Sequence, residues 1–418
     1  MARGGNVELN GVTYQWPNRP SVVVCIDGGD PTYIESGLRD GVIPNIKRFM
    51  DEGFHKIAQG TVPSFTCPNN MSIATGAEPN VHGISGNYYY DAATKEEVVM
   101  TGPELLRSET IFAEFAKAGA KVVAITSKDK LRQQLGKNMP LGDGNMCFSA
   151  QFADRCTLAE NGVENVLELV GQPLPDMYSA ELSLFVLDAG IKLLEEQKPD
   201  ILYLSLTDFI QHKYAPGEAA ANQFYRDIDD RIGRLADLGA AVGLIADHGM
   251  SDKSQDDGTP NVVWLQDLLD DEFGTDTTKV VCPITDPFVA HHGALGGFVR
   301  VWCVGGADPA AVLNFVKTVA GVSMALTKDE ACAEFDLPAD REGDVVVISE
   351  QGTCIGSTEA AHDLEGLKGH RLRTHGGVTE RQVPFIISQP LNDTYKAESA
   401  RGTLRSHQIY DFLINGTI

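Results

Sequence analysis

Apolar residues fall along this chain in two kinds of run. Residues 21–26 (SVVVCI), 121–125 (KVVAI), 200–206 (DILYLSL) and 240–246 (AAVGLIA) are short and continuous. Runs of that kind are strands buried on both faces, as in a parallel sheet. Between them lie longer segments with apolar positions three and four apart: residues 43–53, 108–119, 179–196 and 222–238. These read as amphipathic helices. A further helix is expected to start at Thr66 and to close at Gly76, before Pro79. Pro68 falls in its first turn, where a missing N–H costs nothing. Strand and helix alternate, so the expected architecture is an α/β fold with a doubly wound, mostly parallel sheet and helices on both faces.

The pattern changes near Cys282. A strand-like run at 296–305, helical runs at 310–321 and 327–335, and a strand at 343–349 suggest a small α+β insertion. The chain then returns through residues 367–378 to a strand (VPFIIS) and a closing helix (SHQIYDFLI). The expected organisation is a core of residues 1–281 and 370–418 interrupted by a cap at 282–369.

Composition narrows the functions. With 418 residues, 43% hydrophobic and 22% charged, the chain is an ordinary globular protein with room for two or three domains. Its 34 basic and 58 acidic residues leave a net charge of −24, which argues against nucleic acid or an anionic membrane as partner. No run of 18 apolar residues occurs, so no membrane span is expected. The eight cysteines are scattered without a CxxC pair, and the N-terminal residues lack a signal-like apolar stretch. A cytoplasmic enzyme with reduced thiols is expected. The sequence leaves a homodimer open. An anionic substrate would be repelled at long range, so an anion site here needs local cations.

Candidate chemistry collects at the ends of the proposed strands: Asp27 in DGGD, Lys128 and Lys130 in TSKDK, Asp208 with His212, and Asp247 with His248. Ligands of open α/β sheets bind outside those ends, so these residues should converge. Asp208 and His212 are four apart and share one helix face. Asp247 and His248 are adjacent and should point apart. His375, in THGG, could complete a site from the far end of the chain. His291–His292 is a rival pair, and His370 could support His375. Carboxylates mixed with imidazoles suit zinc, with manganese or iron as alternatives. Thr66, at a helix start, meets unpaired N–H groups and partial positive charge, which favour an alkoxide or a phosphoryl oxygen. Each piece has a plain structural reading as a turn, a cap or a surface histidine. Five of them at strand ends are harder to dismiss together.

The order Asp…Thr…Asp-x-x-x-His…Asp-His-Gly…His-Gly-Gly resembles the alkaline phosphatase superfamily. It is most similar to the nucleotide pyrophosphatase/phosphodiesterase-like branch, through PSFTCPNNMSIATGAEPNVHGISGN. The resemblance implies two metal ions, most simply Zn2+. One would be held by Asp208, His212 and His375, the other by Asp27, Asp247, His248 and the nucleophile Thr66. It also implies that Asn87 donates to a phosphoryl oxygen. The branch's PNH is Pro68-Asn69-Asn70 here, a departure not expected to matter. Within the superfamily the chain is similar to enzymes that cleave the carbon–phosphorus bond of a small phosphonate through a phosphothreonine. Lys128 and Lys130 would project to one side if strand geometry persists, and would suit a substrate charged at both ends. The alternatives are a phosphodiesterase or phosphomonoesterase acting on P–O bonds, or a metal-storing protein without turnover.

Overall fold

The computed structural model describes residues 4–284 and 294–418, apart from 92, 101 and 368. Eight strands form the main sheet. Its centre is five parallel strands in the spatial order Ala241–Ile245, Ser21–Cys25, Ile201–Ser205, Val122–Thr126 and Met146–Ser149. Beyond Ala241–Ile245 the sheet continues with Gln382–Ile387, Phe54–Gln59 and the short edge strand Leu404–Arg405. Only Gln382–Ile387 runs against the rest, because it pairs antiparallel on both sides. The fold is therefore a mostly parallel α/β sheet with helices on both faces.

Alternate residues of one strand feed opposite cores, as the period of two requires. Val22 and Val24 pack with the helices Pro44–Glu52, Ala180–Gln197 and Ala219–Asp237. Val23 and Cys25 pack on the other face with Thr66–Thr75, Ile111–Lys117 and Ile409–Asn415. Burial on both faces explains why these strands are continuous apolar runs.

Register decides where the polar residues land. Cys25 pairs with Ser205 and with Ile245, and Thr126 pairs with Ser205, so four strands end on one line. Asp27, Lys128, Asp208 and Asp247 each follow that line by two or three residues. Their convergence is a consequence of register.

A second, antiparallel sheet runs in the order Lys279–Val281, Phe298–Trp302, Val345–Ser349, Val322–Thr327. The helices Pro309–Val316 and Lys328–Phe335 share its apolar cluster. Lys279–Val281 precedes the edge expected at 282. Leu265 and Leu269 of the helix Leu265–Phe273 also pack into the cluster, and Val262–Trp264 pairs with Cys354–Gly356. Val62 and Phe65 enter the same cluster. The residue before Thr66 is thus a core residue of the smaller unit. No described helix is long and apolar enough to cross a membrane, and no disulfide joins the cysteines.

Candidate active site

Thr66 is the first residue of the helix Thr66–Thr75, whose N-cap is Phe65 in extended conformation. No side chain caps that end. All ten helical residues are buried, and Gly76 closes the helix in the left-handed conformation at φ 64°. Buried amides and hydroxyls must then find partners inside. Asn69 does so on the preceding loop, accepting from Thr61 N at 2.7 Å and donating to the Phe65 carbonyl at 3.1 Å.

Three imidazoles share one design. His212 Nδ1 lies 2.6 Å from the Arg373 carbonyl, His375 Nδ1 2.7 Å from the Ser64 carbonyl, and His248 Nδ1 2.9 Å from the Gly249 carbonyl. A carbonyl only accepts, so each Nδ1 carries a proton, and Nε2 is the nitrogen left to meet a carboxylate or a cation. All three Nε2 atoms are aimed at carboxylates. His212 Nε2 is 2.8 Å and His375 Nε2 3.8 Å from Asp208 Oδ2. His248 Nε2 is 3.2 Å from Asp27 Oδ1 and 3.8 Å from Asp247 Oδ2. Thr66 Oγ1 lies 3.4 Å from the same His248 nitrogen.

Asp208 and His212 lie one turn apart, with Asp208 as the N-cap of Phe209–Lys213. Asp247 and His248 do not diverge as adjacency in a strand would require. The strand ends at Ile245, and both side chains join Asp27 in one group of ligand atoms within 4.8 Å of one another. His248 also closes a second such group with Asp208 and His375, and its ring stacks on His375 at 3.6 Å between centroids. His375 is carried in by a glycine turn. Gly376 has φ 119°, and a β-carbon there would strike the Phe65 ring. The two loops are stitched by Glu380, whose carbonyl accepts from Gly249 N at 2.6 Å. Its carboxylate takes Gly377 N at 2.9 Å and Lys253 Nζ at 3.0 Å.

Such packing sets charges against one another. Burial, then Asp27 and Asp208, pushes the Asp247 carboxyl well above the usual carboxylate range. Burial alone would lower His248, but Asp247 and Asp27 outweigh it and raise it to about 10. Burial, with His248 and His212, holds His375 well below its ordinary value. Three buried carboxylates facing three imidazole Nε2 atoms fit divalent cations, which would satisfy both at once and take the place of the proton that His248 otherwise holds.

A cavity of about 450 Å3, including its mouth, opens beside this cluster. Asp27, Thr66, Asn87, Lys128, Lys130, Asp208 and His375 line it, together with Ile284. His212, Asp247 and His248 lie behind that wall. Lys128 and Lys130 reach the cavity by a route other than the one expected from strand geometry. The strand stops at Thr126, and Asp129–Leu131 is a 3-10 turn. Asp129 is held by Ser149 Oγ at 2.8 Å and Arg132 Nε at 2.7 Å. Asn87 is anchored through its backbone, by Pro283 O at 2.8 Å and Met100 N at 2.7 Å. His370 is exposed in a second cavity with Lys213 and Arg371, and His291–His292 lies outside the described residues.

The departure at Asn70, not expected to matter, lies against the site. Asn70 is fully buried and bonded to both the Thr66 carbonyl and Asp247. Its signal was available: two adjacent amides in a short apolar helix need internal partners.

A model of the type I phosphodiesterase / nucleotide pyrophosphatase family, a branch of the alkaline phosphatase superfamily, matches residues 21–377, and the chain belongs to that family. Among solved structures it is similar to the phosphonoacetate hydrolase of Sinorhizobium meliloti 1021, determined in complexes with phosphonoacetate and with phosphonoformate. The two are 44% identical with a TM-score of 0.93 over 99% of both chains. Murine ectonucleotide pyrophosphatase/phosphodiesterase 5, in complex with AMP, is 15% identical with a TM-score of 0.63 over 96% of each chain, a likeness of fold alone. An uncharacterised pyrophosphatase/phosphodiesterase of Schizosaccharomyces pombe is 21% identical over 259 residues, 59% of this chain and 47% of the yeast protein. The chain thus spans about half the length of that relative.

Proposed function

We propose that this protein hydrolyses the carbon–phosphorus bond of phosphonoacetate to acetate and phosphate, with Thr66 as nucleophile and two divalent metal ions as cofactors. The observation that carries the reading is the cavity itself, which two lysines of one loop line together with the threonine and members of the carboxylate–histidine cluster. The similarity to phosphonoacetate hydrolase over the whole chain supports it. We assign Asp208, His212 and His375 to one ion, and Asp27, Asp247, His248 and Thr66 to the other. Zinc suits this donor set best, with manganese and iron as alternatives. When bound, such ions supply Lewis-acid stabilisation of the attacking and departing groups.

The chain's own residues do the rest. The phosphoryl end lies at the helix start, where partial positive charge favours it. Asn87 hydrogen-bonds a phosphoryl oxygen. Lys128 and Lys130 hold the carboxylate, supplying the local positive charge that a protein of net −24 otherwise lacks. Thr66 Oγ1 forms the new P–O bond as the C–P bond breaks, giving a phosphothreonine. The electron pair left on the methylene carbon delocalises into the carboxylate, where a lysine stabilises it, and the proton given up by the Thr66 hydroxyl, relayed through solvent, completes acetate. One water then splits the phosphothreonine, its hydroxyl going to the phosphate and its proton back to Thr66. We place the cap at residues 262–356, where its sheet and apolar cluster lie, and assign it the role of closing the cavity.

Lys128→Ala and Lys130→Ala are each expected to lose ten- to a hundredfold in kcat/KM on phosphonoacetate. That is the effect of a charge-assisted contact of about 1.5–3 kcal/mol. Loss on nitrophenyl phosphate esters, which lack the carboxylate, should be several-fold smaller. Equal losses on both substrate types would assign the lysines to the phosphoryl group. Family membership favours a second reading, P–O ester hydrolysis at the same centre. A product assay comparing phosphonoacetate, other phosphonates and nitrophenyl phosphate esters decides between them.

A further inference from the structure

Thr66 and Asp247 sit on different elements, the first turn of a helix and the loop after a strand, and one side chain joins them. Asn70 Nδ2 donates to the Thr66 carbonyl at 2.9 Å and to Asp247 Oδ2 at 3.0 Å. Asn70 Oδ1 accepts from the Tyr203 hydroxyl at 2.7 Å and from Ser205 Oγ at 3.1 Å. An asparagine amide has two donor hydrogens and two acceptor lone pairs, and all of them are used. The amide can face only one way. The Thr66 carbonyl accepts but never donates, so the nitrogen must be turned to it. Burial holds the Tyr203 phenol protonated and therefore a donor.

The anchor is rigid. Tyr203 and Ser205 belong to the strand Ile201–Ser205, fully buried and paired with Ser21–Cys25. On the other side, Asp247 Oδ1 already accepts from His248 N at 2.9 Å and Gly28 N at 3.3 Å. With Oδ1 filled and one lone pair of Oδ2 taken by Asn70, a single Oδ2 lone pair remains to meet a cation. The same amide ties that carboxylate to the backbone of the residue that must attack.

We propose that Asn70 is a positioning residue. It fixes the Asp247 carboxylate so that one lone pair faces the cation cluster, and it holds the first turn of the Thr66 helix in register with it. The inference rests on the reading of Thr66 as nucleophile and Asp247 as ligand, and it needs no chemistry of Asn70 itself.

The test is Asn70→Leu, which keeps bulk and removes every bond. Zinc affinity of the chelator-stripped full chain is measured by competition with a chromogenic chelator, alongside kcat and KM on phosphonoacetate and thermal unfolding. Removing such a supporting contact costs roughly 10- to 100-fold in metal affinity or activity. One of the two zinc-binding steps should weaken by that factor and the other should hold. kcat should fall similarly, with KM little changed. Should Asn70→Leu not fold, Asn70→Ser, which leaves room without the amide, is read in the same way. Zinc affinity and kcat equal to the parent chain's, with only a lowered unfolding temperature, would reduce Asn70 to packing and overturn the inference. If the unmodified chain bound no zinc pair or left phosphonoacetate intact, the functional reading would fail first and this one with it.

Discussion

Thr66→Ala is expected to lose at least about four orders of magnitude in kcat on phosphonoacetate, the scale seen when a nucleophile is removed. The loss should be one of chemistry and not of stability. Thr66 caps nothing: Phe65 is the N-cap, no side chain bonds that terminus, and alanine is a better helix former than threonine. What disappears is one hydroxyl, 3.4 Å from His248 Nε2 and at the cavity wall. Metal content and the unfolding temperature should stay near those of the parent chain. Thr66→Ser should retain part of the rate, because the hydroxyl survives and only the methyl that restricts its rotamers is lost. Steady-state kinetics, metal analysis and circular dichroism on the three proteins check the set. A Thr66→Ala enzyme that turns over near the parent rate would falsify the phosphothreonine route and make water the direct nucleophile.

Removing divalent cations should have an effect of similar size. Asp27, Asp208 and Asp247 are buried together, and Asp247 is driven toward its protonated form by burial and by Asp27. Like charges in a low-dielectric site cannot all remain ionised without compensation. The three histidine Nε2 atoms add to the demand, since each faces a carboxylate. Dialysis against a strong chelator is therefore expected to abolish turnover, and zinc, manganese or iron added back should restore it. Binding also stabilises the folded state. At a free-ion concentration about 1,000 times Kd, one site adds roughly 4 kcal/mol. Thermal unfolding with and without zinc should differ by several degrees. Full activity after chelation, with no more than one ion per chain, would overturn the two-ion assignment.

Much of the site was legible because its residues follow strands that announce themselves. A strand buried on both faces must be a continuous apolar run, so its end is visible where Asp27, Asp208 or Asp247 interrupts it. Less was visible where an element leans on its neighbours. Phe54–Gln59 mixes apolar and polar positions, with only Ala58 fully buried, and is a strand because Gln382–Ile387 pairs with it. Met146–Ser149 and Leu404–Arg405 are too short to stand out and sit at the two edges of the sheet. One strand of the smaller sheet was passed over for a related reason. Lys279–Val281 has three residues, and only its pairing with Phe298–Trp302 gives it membership.

By itself, then, the amino-acid order determined the class of fold, the helix start at Thr66 and the roster of carboxylates and imidazoles at strand ends. Each is written in local periodicity or in side-chain chemistry. Tertiary structure decided what those residues face. The common register line brings Asp27, Asp208 and Asp247 together across residues far apart in the chain. Lys128, just past the strand end, and Lys130, in the 3-10 turn that follows, reach the cavity together. The choice of nitrogen on each histidine came from three backbone carbonyls, at Ser64, Gly249 and Arg373, that no local pattern predicts. Asn70 seemed incidental as a letter and became a four-bond junction once the strand Ile201–Ser205 and the Asp247 loop closed around it. The reason is general: periodicity reports whether a residue is buried, but a buried polar atom gets its partner from other parts of the chain.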